Sequence, residues 1–140
     1  MPLQMNSDEV SAFLEEVFPQ MRGDYNIDYL GDMAATMRLH TNERHLRPGG
    51  TVSGPSMFSL ADICVYVMVL GMVGPKALAV TTNCAIDFMR KPVAGVDLIG
   101  EGKLLKLGKL LAVGEVHLRS EGSSDLVARA SVTYAIPPER

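Results

Sequence analysis

Across residues 48–75 this chain carries a single charge, Asp62. Pro55 near the start of that segment and Gly74-Pro75 beyond its end are helix punctuation. They predict a helix over residues 55–72, roughly 27 Å long. It is apolar almost all round, and such a helix has to be surrounded. Lipid is excluded by length, because a bilayer span needs roughly 20 residues and the uninterrupted apolar run after Asp62 covers only 63–73. The surround must therefore be protein. A solitary carboxylate in such a helix is costly unless it is paired, so Asp62 is either a structural acceptor for nearby backbone or a reactive group.

The rest of the chain supplies a wrapping. Residues 33–40 alternate, with Met33, Ala35, Met37 and Leu39 on one side and Thr36, Arg38 and His40 on the other, as in a half-buried strand. Residues 41–54 form a loop that turns Gly-rich at its end. Four more strand-like runs follow the helix. The first, 78–88, sets Leu78, Val80, Thr82, Cys84, Ile86 and Phe88 on one face, with Thr81 and Asn83 on the other. Runs 97–107 and 109–119 join at Leu107-Gly108. A turn at Glu121-Gly122-Ser123-Ser124-Asp125 leads to the last run, where Leu126, Ala128, Ala130, Val132, Tyr134 and Ile136 share a face. Strands grouped apart from helices indicate an α+β fold with a mostly antiparallel sheet of about five strands. The sheet needs something apolar to wrap, and the central helix needs wrapping.

The start is acidic and helical. Val10, Phe13, Leu14, Val17, Phe18 and Met21 make an amphipathic stripe, Asn6 and Glu9 are placed as a capping pair, and the helix is expected to end in 19–23. Residues 1–28 are thus an N-terminal helical segment ahead of a domain over 29–140, one domain overall, since 140 residues suffice for one substantial core.

Composition narrows the class. The net charge of −3 is no footprint of a nucleic-acid binder, and a mean hydropathy of +0.14 with nine Met and no Trp in so short a chain suggests surface buried against another subunit. Cys64 and Cys84 sit in apolar runs without framework spacing, and the N-terminus lacks a basic leader, both favouring a reducing, cytoplasmic setting. His40, His45 and His117 are too scattered for a four-ligand zinc set, so no metal is expected.

This order of elements resembles the hotdog fold, and within it the PaaI-like acyl-CoA thioesterases. The resemblance covers roughly residues 30–137 and is carried by Gly50-Thr51-Val52-Ser53-Gly54-Pro55, Phe58-Ser59-Leu60-Ala61-Asp62, Ile86-Asp87-Phe88-Met89-Arg90-Lys91-Pro92, Ala94-Gly95 and Gly108-Lys109. It implies thioester hydrolysis without a cofactor beyond the substrate's own coenzyme A. It also implies homodimers whose sheets join edge to edge, commonly paired into homotetramers. Relatives usually read His-Gly-Gly where this chain reads Ser53-Gly54-Pro55, and often carry Asn where this chain has Arg47. The first Gly of the motif corresponds to Gly54, whose backbone N–H is the family's oxyanion donor. Ser53 is a possible substitute for the missing His.

Thioester hydrolysis needs an electrophile clamp and a group that delivers oxygen. A helix N-terminus supplies the first, and Asp62 the second, as nucleophile or as general base on water. Asp62 lies seven residues beyond Pro55, nearly on the same helix face but roughly 10 Å further along the axis. One carbonyl cannot meet the Gly54 N–H and the Asp62 of the same chain, so if both act they come from different subunits.

The resemblance assigns Thr81 a part in holding the water or the acid. Asn83 beside it, with Arg90, Lys91, Lys106 and Lys109, is a candidate for contacting the acyl-CoA substrate. Two rival readings stand beside the hydrolase: an acyl-CoA-binding hotdog protein without turnover, given the missing His, and a hydratase or dehydratase, which would need a His near the acid.

Overall fold

The structure, a computed structural model, describes residues 2–19 and 23–138. Met21, the last position of the predicted N-terminal stripe, lies outside them. Helix α1 spans Ser7–Val17 and begins with the expected capping box between Asn6 and Glu9. Strands β1 (Tyr25–Gly31) and β2 (Ala34–Leu39) follow, then a short 3-10 turn at Glu43–His45 and helix α2 (Gly54–Val73). Strands β3 (Val80–Phe88), β4 (Leu98–Leu107), β5 (Leu111–Ser120) and β6 (Ala128–Ala135) complete the chain.

The sheet is antiparallel throughout, in the order β1-β2-β4-β5-β6-β3. It curls around α2, whose residues 63–72 are all buried. Length does not exclude a membrane span after all, because the helix runs on through Gly54–Val73 and is long and apolar enough to cross one. What argues against it is that its apolar surface is taken up by the sheet. This is the hotdog arrangement, with α1 packed on the outside.

Close approach of helix to sheet rests on missing side chains. A Cβ on Gly102 of β4 would stand 2.7 Å from Cys64 Sγ and 2.9 Å from Met68 Cε, and one on Gly114 of β5 would stand 2.9 Å from a Val65 methyl. Glycine lets the strand backbones touch the helix, and the buried branched side chains of α2 fill what remains.

The sixth strand, β1, falls where the residue pattern marks none. Tyr25 and Ile27 pair with Leu39 and Met37 on the inner face, but a bulge between Ile27 and Tyr29 hands the inward place to Leu30 opposite Ala35. The two-residue alternation is therefore broken in a strand that also carries Asn26 and Asp28. A second bulge, between Thr81 and Asn83, corrects the expected faces of β3. Thr81 pairs with inward Tyr134, and Cys84, Ile86 and Phe88 pair with inward Val132, Ala130 and Ala128. Val80 and Asn83 face outward instead, so Thr81 and Asn83 do not share a face.

Candidate active site

Asp62 sits on α2 where that helix passes the start of β3, and it is partly exposed rather than sealed in the core. The Thr81 hydroxyl donates to its carboxylate at 2.5 Å. The Tyr134 hydroxyl donates to its backbone carbonyl at 3.3 Å. Tyr134 stacks on Tyr66, with ring centroids 5.6 Å apart, and the Tyr66 hydroxyl is fixed by the Ala77 carbonyl at 3.1 Å. Burial, then the neighbouring Asp62 charge, raises the Tyr134 phenol far above its ordinary range, so it acts as a donor and not as a base. The same two causes raise Cys84. Cys64 is pushed up to about 12 by burial alone, which leaves it a packing residue.

The start of α2 presents one open donor. Ser53 is the N-cap: its own N–H goes to the His45 carbonyl at 2.7 Å, its hydroxyl accepts from the Ser56 N–H at 3.3 Å, and its carbonyl accepts from Met57 at 3.1 Å. Pro55 has no N–H. Of the first-turn groups that lack intrahelical carbonyls, Gly54 is the one whose N–H finds no acceptor among the described residues. The Ser53 hydroxyl is also within 3.0 Å of the Ser56 hydroxyl. Its place in the sequence is that of the missing His, but here it serves as a cap.

Gly54 opens onto a cavity of about 410 Å³ that it shares with Arg47, Met57, Phe88, Arg90 and Lys91. No acid lines it. Arg90 is partly engaged, by the Leu126 carbonyl at 3.2 Å and by Asp125 at 3.6 Å. Lys106 and Lys109 do not join this group within the chain. The register Val80–Ala135–Leu111 puts the β4–β5 turn at one end of the sheet, whereas Phe88–Ala128–Leu118 puts Arg90 and Lys91 at the other. Lys109 instead lines a cavity with Val73 and Lys76, at the far end of α2. Asn83, outward on β3, touches neither Asp62 nor the cavity at Gly54.

Asp62 opens onto a different cleft, of about 440 Å³, walled by Val17, Phe18, Tyr66, Leu78, Val80 and Tyr134 among others. Gly54 and Asp62 are eight residues apart on one helix, an axial distance of roughly 12 Å, and each faces its own opening. Sequence reasoning marked the acid, the amide and Thr81. It did not find Tyr134 or Phe18, whose places depend on strand pairing and on the packing of α1, nor Tyr66, which lies four residues beyond Asp62 on α2 and was within reach of the helical spacing.

A donor-only helix start, a lone acid held by a hydroxyl and a hotdog frame together narrow the comparison. The family model for the thioesterase superfamily matches residues 49–127, more than half of the chain. The chain belongs to the thioesterase superfamily. Among solved structures, a proposed thioesterase from Silicibacter sp. TM1040 is 59% identical, with a TM-score of 0.93, 99% of this chain and 96% of that one being covered. The PaaI protein from the phenylacetic acid degradation operon of E. coli is 18% identical, with a TM-score of 0.77 over 95% of this chain and 96% of its own. A hypothetical thioesterase from Streptococcus pneumoniae, solved with coenzyme A, is 18% identical, with a TM-score of 0.76 over 94% and 98%. The last two share the fold. No curated protein matches. The chain is thus a member of the thioesterase superfamily with the hotdog fold.

Proposed function

We propose that this thioesterase-superfamily chain hydrolyses acyl-CoA thioesters in a site made by two copies of itself. The observation that carries the reading is the bare edge of the sheet. Strand β3 ends the sheet and is flanked by exposed Leu78, Val80, Phe88 and Met89, an arrangement that invites strand pairing. If two β3 edges pair antiparallel about a twofold axis through Ala85, Cys84 meets Ile86, and the Thr81–Thr82 bulge of one copy stands opposite Phe88 of the other. Asp62 is bonded to Thr81, and Gly54 lies against Phe88, where a Cβ would be 3.4 Å from the ring. Edge pairing therefore sets Asp62 of one subunit beside the Gly54 N–H of the next, which one chain alone cannot do.

In that site the thioester carbonyl accepts from Gly54, and the helix dipole favours the negative charge that develops on its oxygen. Asp62, held by Thr81, either attacks the carbonyl carbon directly or takes a proton from an attacking water. The C–S bond breaks and coenzyme A leaves as the thiol. When water attacks, its oxygen ends up on the acid. Direct attack instead gives an acyl–Asp62 anhydride, which water opens at the Asp62 carboxyl carbon, leaving a former Asp62 oxygen on the acid and its own on Asp62. Arg47, Arg90 and Lys91 give the Gly54 side a positive field for the phosphates of coenzyme A. The relative solved with coenzyme A has the same fold. No cofactor is called for. Pairing of dimers into a homotetramer is in keeping with Leu105 and Leu111, which remain exposed, and free thiols at Cys64 and Cys84 fit a cytoplasmic setting.

The rival reading, a binder without turnover, draws on one observation: the hydroxyl of Ser53 is occupied as a helix cap. Turnover of short, medium and aryl acyl-CoA esters by wild type and by Asp62→Asn divides the two. Hydrolysis that falls at least a hundredfold in the variant supports the enzyme. A wild type silent across the panel, yet binding the esters, overturns it. Single turnover in ¹⁸O water separates the two roles of Asp62, because only direct attack leaves label in the carboxylate.

A further inference from the structure

The two openings that meet in the proposed dimer differ in character. The Gly54 side is lined by Arg47, Arg90 and Lys91. Among the described residues the cleft at Asp62 is lined by no cation, and Asp62 is the one charge there. Phe18 forms part of that cleft and also part of a second, smaller cavity of about 200 Å³ beneath α1, whose apolar lining includes Leu14, Ile27 and Ile63 and whose polar lining includes Ser11, Glu15 and Asn26. The side chain is the wall between two spaces. Its backbone is held as the C-cap of α1, the Phe18 N–H donating to the Leu14 carbonyl at 2.7 Å. The side chain is 36% exposed.

We propose that the cleft at Asp62 takes the acyl group, that this group is uncharged and apolar, and that Phe18 sets its maximum length by closing the cleft off from the cavity beneath α1. This rests on the thioesterase reading above and adds the substrate class and its length gauge. The electrostatics point one way: an acyl carboxylate placed in the cleft would face Asp62 with no cation among the described lining residues to offset it, while the anionic end of the substrate has Arg47, Arg90 and Lys91 on the other side of the thioester. An acyl chain too long for the cleft has to push against the Phe18 ring. Without the ring the chain can continue among Leu14, Ile27 and Ile63, each buried methylene being worth about fourfold in binding.

The test is the chain-length profile. kcat/KM is measured for butanoyl-, hexanoyl-, octanoyl-, decanoyl- and glutaryl-CoA with wild type, Phe18→Ala and Phe18→Trp. The expected result is a wild-type optimum that moves to longer chains in Phe18→Ala, with the decanoyl-to-hexanoyl ratio rising at least tenfold, and to shorter chains in Phe18→Trp. Glutaryl-CoA should be at least tenfold poorer than hexanoyl-CoA in all three. The same series as S-alkyl-CoA thioethers, followed by calorimetry, reads the gauge as affinity even where no turnover occurs, so failure of the hydrolase and failure of the gauge are distinguishable. A profile that all three proteins share, or a preference for glutaryl-CoA, overturns the proposal.

Discussion

Thr81, the second residue of an edge strand, donates a 2.5 Å hydrogen bond to Asp62, the lone acid of the core helix. The bond exists because a bulge turns Thr81 inward. A bond to an ionised acceptor is worth about 1.5–3 kcal/mol, so Thr81→Val is expected to lower kcat roughly 10- to 100-fold while leaving the melting temperature nearly unchanged. Thr81→Ser, which keeps the hydroxyl, is expected to recover most of the activity. Equal losses in both variants would mean that the hydroxyl is not what matters.

The Gly54 amide can be removed without disturbing the backbone. Ser53 is extended at φ −74° and ψ 156°, as a residue before proline prefers, and proline suits the first helical position. Gly54→Pro should therefore fold and lose about 10²–10³ in kcat, whereas Gly54→Ala, which retains the N–H, should keep activity within tenfold. Circular dichroism and steady-state kinetics decide this together.

Mixing two inactive variants tests whether the site is shared. Asp62→Asn and Gly54→Pro, dissociated and reassembled together, give mixed dimers in which one of the two sites has both native groups. About a quarter of wild-type activity should return after random exchange. No recovery with proven exchange would place both groups in the same subunit.

Gly102 tests the packing of helix on sheet. Gly102→Ala places a carbon 2.7 Å from Cys64 Sγ, an overlap that has to be relieved by moving α2 or β4. A loss of about 1–3 kcal/mol is expected, read as a lower midpoint in urea unfolding. An unchanged midpoint would show that the helix is free to shift.

Asp97 sets an acid limit on stability. Burial works to raise its carboxyl, but the Thr41 amide, then the Arg38 guanidinium, then His40 outweigh this and hold it below the ordinary carboxylate range. Its folded pKa lies below the unfolded value, so the stabilisation is complete above about pH 4 and is lost as pH falls through the folded pKa. Asp97→Asn should lower the melting temperature at pH 7 and shrink the gap from wild type in strong acid. A gap independent of pH would show that the ion pairs with Arg38 contribute nothing.

The sequence by itself determined the core helix, its single acid and the inward row of β6. These are local properties: helix punctuation, a missing charge and a two-residue alternation are written within a dozen neighbouring residues. Tertiary structure decided the rest. Two bulges shift the alternation of β1 and β3, and with it the side on which Thr81, Asn83 and Leu30 fall. Pairing across β6 separates Lys109 from Arg90 by the length of the sheet. Packing of α1 makes Phe18 a wall between two spaces, and Tyr134 reaches Asp62 from 72 residues away. A bulge and a strand order depend on which backbone groups find partners far along the chain, and no local pattern records that choice.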